Sequence, residues 1–186
     1  MPPGKAARAK AYAPTVSAGC HHAHMDSDGT EKKTLTAFLA AQRASVRAIV
    51  DGLGTQALTT SDLPSGWTPL GLVEHLGDAE RYWFQEVVTG AAEPLPWSGD
   101  HAPLTTPRSP EVVFAFYDDQ CRRSDEVIAR TALSAPPKGR RPEPLGDEIS
   151  DLRGIILHMI EETARHAGHL DIVRELLDGR TGLGPR

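Results

Sequence analysis

Residues 152–177 read LRGIILHMIEETARHAGHLDIVRELL, the longest helix-like run of the chain, and they hold three of its eight histidines. At about 100° per residue, Leu152, Ile156, Met159, Ile160, Thr163, Ala167, Leu170, Val173 and Leu177 gather on one broad face. Ser150 stands where it can cap the start, and Gly179 suits the position just past the end. His166 falls within the apolar face, roughly 40° from its centre, with Glu162 one turn earlier on its flank. His158 and His169 project farther out. A histidine and a carboxylate spaced i, i+4 are how one helix offers two ligands to a metal ion. The same spacing also makes a plain intrahelical ion pair.

Working outward, three further segments carry the helical period. Leu35, Phe38, Leu39, Val46, Ile49, Val50 and Leu53 form a stripe from about Glu31 to Leu53, with Gln42 filling its gap. Gly52, Gly54 and Thr55 stop that helix. Thr68 as cap and Pro69 at the first helical position announce a second helix that runs to Gly90. Its stripe is Leu72, Val73, Leu76, Trp83 and Val87, and His75 sits on the edge with Ala79, Tyr82 and Glu86. An edge side chain reaches a space between helices rather than the centre of the core. Ser109-Pro110-Glu111 opens a third helix, with Val113, Phe116, Tyr117, Gln120, Ser124, Val127 and Ile128 inward. Cys121, at the boundary of that stripe, has no activating neighbour in the sequence and reads as packing, not as a nucleophile.

Two Pro-rich connections, residues 91–107 and 132–148, separate these helices. A loop as long as the first is mobile or functional. Its Trp97 is expected to pack on the bundle surface rather than roof a pocket, and it also carries His101. Lys138, Arg140 and Arg141 in the second are read as solvated rather than anion-binding. There is no internal repeat, no Gly-rich phosphate loop and no G-x-S-x-G elbow.

A chain of 186 residues fits one domain: a disordered N-terminal tail over 1–30, then a helical domain over 31–182. Cys20, His21, His22 and His24 make a short metal-binding composition of low specificity, and Met25 is an alternative start. Residues Ser17-Ala18-Gly19-Cys20 lack the apolar run of a lipoprotein signal. A net charge of −5 argues against nucleic acid. No apolar run approaches the roughly 20 residues that span a bilayer, which argues against a membrane role. Two cysteines are too few for a disulfide framework and point to a reducing cytoplasm. Arg outnumbers Lys fifteen to five, in keeping with a GC-rich genome.

Four helices, each with one apolar stripe, give an all-α fold: an antiparallel four-helix bundle with long loops. Bundles of this kind build metal sites from inward residues on facing helices. His75 from the second helix and Glu162 and His166 from the last supply three candidate ligands, and three with an open position is a catalytic arrangement.

The segments PSGWTPLGLVEHLGDAERYWF (64–84) and LHMIEETARHAGHLDIVRELLDGRTG (157–182) together resemble the DinB/YfiT-like superfamily, especially its mycothiol-transferase-like branch from actinobacteria. The likeness covers roughly residues 31–182. It implies a four-helix bundle with a divalent metal, often zinc, held by a His on the second helix and two ligands one turn apart on the last. Many relatives have H-x-x-x-H there, whereas Glu162 and His166 make E-x-x-x-H. Two histidines and a carboxylate suit nickel, iron or manganese as well. His169 would adjoin the ligands and His158 would lie one turn before Glu162, so either could replace it.

The chemistry the resemblance implies is thiol transfer, with mycothiol as cosubstrate and a small electrophile as acceptor; bacillithiol serves other branches. The attacking sulfur would then belong to the cosubstrate. Arg81, Arg153 and Arg165 on the two ligand-bearing helices are expected in ion pairs rather than on substrate. A metal-dependent thiol S-transferase of detoxification or stress response ranks first. Another metal-dependent hydrolase or isomerase on the same bundle comes second, and a non-catalytic stress-associated binding protein third. The sequence leaves a homodimer open.

Overall fold

The computed structural model describes residues 20–61, 63–91, 93, 104–139 and 149–182, with side chains from residue 29 onward. It contains α1 (Cys20–Val50), a short α2 (Thr55–Thr59), α3 (Pro69–Glu80), α4 (Pro110–Arg130) and α5 (Leu152–Asp178), and no strand among the described residues. Beyond Glu80 the backbone of α3 winds on as a wider π-helix over Arg81–Val88. Helix α1 starts at Cys20, so residues 20–30, expected to belong to the tail, are helical. Extending an existing helix needs no new nucleus, which lets it run beyond its apolar stripe. Residues 1–19, Trp97, His101, Arg140 and Arg141 lie outside the described residues, as do the side chains of Cys20, His21, His22 and His24.

The helix ends follow local chemistry. Thr68 Oγ1 accepts from Gly71 N at 3.1 Å, with Pro69 next in the chain, as the sequence predicts. At the start of α5 the cap is Asp151, not Ser150: its Oδ1 accepts from Gly154 N at 2.9 Å. A carboxylate there also opposes the positive helix end. Gly179 closes α5 at φ 75°, the left-handed turn that glycine adopts without strain. Ser109 precedes Pro110 as expected, but its side chain makes no capping hydrogen bond.

The order of the helices departs from a simple antiparallel bundle. Arg153 meets Glu31 at one end and Arg174 Nη1 donates to Ile49 O at the other, so α1 and α5 run parallel. Arg108 pairs with Glu74 just before α4 begins, and Phe116 packs beside Gly77, so α3 and α4 are parallel too. The antiparallel pairs are α1 with α4 (Lys32 to Thr131 O, Arg47 to Asp118) and α3 with α5 (Trp67 to His169, Trp83 to His158). Parallel neighbours in sequence require a connection that travels back along the bundle. This gives the Pro-rich segment after α3 a structural reason for its length. Arg81 donates to Glu93 O at 3.0 and 2.7 Å, and Thr68 N donates to Leu104 O at 2.9 Å, so Glu93 lies beside the far end of α3 and Leu104 beside its start. Gly71 permits the approach, since a Cβ there would lie 2.2 Å from Leu104 O.

Two apolar clusters fill the bundle. One joins Leu39, Trp83, Phe84, Val87, Ile128, Leu152, Ile155, Ile156 and Met159. The other joins Val46, Val50, Leu70, Leu72, Val73, Leu76, Val113, Tyr117, Ala167 and Leu170. Between them, Arg43 grips Glu80 through two hydrogen bonds of 2.7 Å and reaches Asp125 at 2.7 Å, while Gln85 donates to Gln120. The buried face of α1 therefore centres on Leu39, Gln42, Arg43, Val46 and Val50, and Phe38, expected inside, is 55% exposed. At the far end of α3, Val87 O and Val88 O accept from the backbone N–H groups of Gly139 and Lys138 at 2.8 and 3.2 Å. These donors satisfy carbonyls that a helix end leaves without partners. Lys138, expected in a solvated loop, thus anchors through its backbone.

Candidate metal centre

His75 projects from α3 toward α5, where Glu162 and His166 share one face a single turn apart. Glu162 Oε1 lies 3.0 Å from His166 Nε2 and 3.2 Å from His75 Nε2. One ligand atom from each of the three falls within 4.8 Å of the others, and the two imidazoles meet edge to face at 5.2 Å. All three are half-buried, their side chains 27%, 21% and 14% exposed for His75, Glu162 and His166. Hydrogen bonds from His166 and then His75 hold the Glu162 carboxyl well below the usual carboxylate range, against the opposing effect of burial. It is therefore anionic at neutral pH.

The donor set fits a divalent ion. A tetrahedral ion with bonds of about 2.0–2.2 Å sets its ligand atoms about 3.3–3.6 Å apart. The observed 3.0 and 3.2 Å need to open by only a few tenths of an ångström. Two neutral imidazoles and one carboxylate are also the hard and borderline donors that zinc, nickel, iron and manganese accept.

The other candidate ligands do not join this group. His158 packs against Trp83 with the two rings tilted and their centroids 4.5 Å apart, and burial pushes its pKa down. His169 is exposed and meets His166 through the opposite ring nitrogen, Nδ1 to Nδ1 at 3.3 Å. Arg81 engages Glu93 O and Glu86, Arg153 pairs with Glu31 and Asp151, and Arg165 pairs with Glu161. All three make the ion pairs expected of them. The Cys121 thiol is pushed up to about 12 by burial and by the Glu80 charge, which suits packing rather than attack.

Sequence reasoning missed the Arg43–Glu80 pair, because a charged side chain inside an apolar stripe reads as a break in it. The apolar stripe places Trp83 and Val87 inward, but gives no sign that this end of α3 widens into a π-helix. The widened end nevertheless presents Trp83 to α5, against His158.

The helical fold and the His–Glu–His cluster between α3 and α5 agree with what the resemblance to the DinB/YfiT-like superfamily implies, while the parallel pairing of neighbouring helices departs from the antiparallel order expected from the sequence. Residues 34–179 match the family model for Mycothiol-S-transferase, and the chain belongs to that family. No curated protein matches the chain.

Proposed function

We propose that the protein is a metal-dependent thiol S-transferase that joins mycothiol to a small electrophile, in detoxification or stress response. The observation that supports this reading is the convergence of His75, Glu162 and His166 in a chain of this family. These three residues would hold the ion, with zinc the first choice and nickel, iron or manganese the alternatives. Such an ion supplies Lewis-acid stabilisation of a thiolate at neutral pH. Glu162 contributes the one negative charge of the donor set. His75 comes from a different helix, so packing of α3 on α5 fixes the distance between donors. The cosubstrate thiol gives up its proton to solvent and its sulfur attacks the acceptor carbon; the S–C bond forms as the bond from that carbon to its leaving group breaks, the leaving group departing with the electron pair, and Cys121 takes no part. This chemistry suits a reducing cytoplasm, and no described helix is long and apolar enough to cross a membrane.

The test is metal analysis of the purified full chain, followed by thiol consumption with an alkylating acceptor. One ion per chain is expected, with conjugate formation lost on chelation and restored on reloading. A metal-loaded protein that leaves thiol and acceptor at the uncatalysed rate would contradict the transferase reading and leave a hydrolase or isomerase on the same residues. A chain that takes up no ion would favour a non-catalytic binding protein.

A further inference from the structure

His166 uses one ring nitrogen toward the cluster and the other toward His169. Its Nε2 lies 3.0 Å from Glu162 Oε1, and its Nδ1 lies 3.3 Å from His169 Nδ1. A neutral imidazole has one donor and one acceptor, so two facing ring nitrogens form a hydrogen bond only when one carries the proton and the other does not. The His169 ring also touches the His166 ring edge at 5.3 Å between centroids, and it lies 6.3 Å from Trp67, just before α3. An exposed side chain is thereby held between two elements.

We propose that His169 is a positioning residue that holds the His166 ring and sets which of its nitrogens carries the proton. This rests on the metal reading above. When His166 Nε2 gives its lone pair to an ion, its remaining proton sits on Nδ1, and His169 Nδ1 accepts it. Without an ion, His166 Nε2–H donates to Glu162, and His169 Nδ1–H donates to the bare His166 Nδ1. The same two atoms serve both states with the direction reversed. A second imidazole does this by exchanging its own tautomer, whereas a methyl group at position 169 does neither. Ligand histidines commonly need such a partner at the distal nitrogen, and its loss costs about 10–100-fold in metal affinity.

The experiment uses zinc as the probe on the full chain. Its readouts are dissociation constants by chelator competition, thermal midpoints of the metal-free proteins, and ¹H–¹⁵N correlations of the histidine rings. His169→Ala should weaken zinc about 10–100-fold while the metal-free midpoint stays put. His169→Asn, whose amide stands near the place of Nδ1 and can turn to accept or donate, should recover most of that loss. Zinc-loaded wild type should show His166 protonated at Nδ1. Wild-type zinc affinity in His169→Ala overturns the proposal, as does an Asn variant no better than Ala, or a zinc-loaded His166 protonated at Nε2. The first two leave the metal reading intact, and the third also removes His166 Nε2 as a ligand atom. A wild-type chain that takes up no zinc removes both.

Discussion

Glu80 and Glu162 both lie between two helices of the bundle, and they are held in opposite ways. Glu80 is 1% exposed, and each of its oxygens takes one hydrogen bond from the same planar guanidinium. Burial works against the charge on Arg43, but Glu80, together with Cys121 and Asp125, outweighs it and raises the arginine pKa. Glu162 is 21% exposed, and both of its histidine contacts fall on a single oxygen. The first arrangement is closed: removing either member strands a buried charge. The second is half-open, and an entering ion can replace its weaker contacts. Buried depth and partner geometry, more than residue type, separate a structural ion pair from a candidate ligand set.

Four substitutions test that contrast. The largest effect is expected from His166→Ala, which removes a donor from the half-open cluster. Metal content and conjugate formation should fall to background while circular dichroism is unchanged, and an ion retained in full would break the ligand assignment.

Next is Arg43→Ala, which leaves Glu80 buried without its partner and should cost about 3–5 kcal/mol in urea unfolding. Metal uptake per folded chain should persist. If instead the ion were lost and stability kept, the two regions would have exchanged roles.

Glu162→Gln keeps the size and removes the charge, so metal affinity should drop strongly with little change in fold. Its pH dependence sharpens the comparison. The folded carboxyl lies below its ordinary value of 4.5, so the metal-free wild type gains stability from it above that pH. That gain is lost as the pH falls through the carboxylate range, because the unfolded chain takes up the proton first. Urea midpoints measured from pH 7 down to 3 should therefore fall less steeply in the Gln variant. Parallel curves would mean that the histidine contacts leave Glu162 unperturbed.

The smallest effect is expected from Cys121→Ser. The thiol is half-buried and pushed up to about 12, so transfer should stay within about twofold of wild type. Loss of transfer with metal retained and fold intact would point to a nucleophile in the protein itself.

The sequence by itself determined what depends on neighbours along the chain. The stripe Leu152–Leu177, the Thr68 cap, the glycine after α5 and the i, i+4 placement of Glu162 and His166 all follow from helical period and terminal hydrogen bonding, and each stands where the sequence places it. Even the Asp151 cap differs from expectation by one position. Tertiary structure alone decided which helices lie side by side and in which direction. It brought His75 within 3.2 Å of a residue 87 positions away, buried Arg43, exposed Phe38, and wound the end of α3 into a π-helix. None of these is encoded in a local period. They depend on which faces pack together after long connections have closed, where a desolvated charge or a bare carbonyl must find its partner from a distant segment.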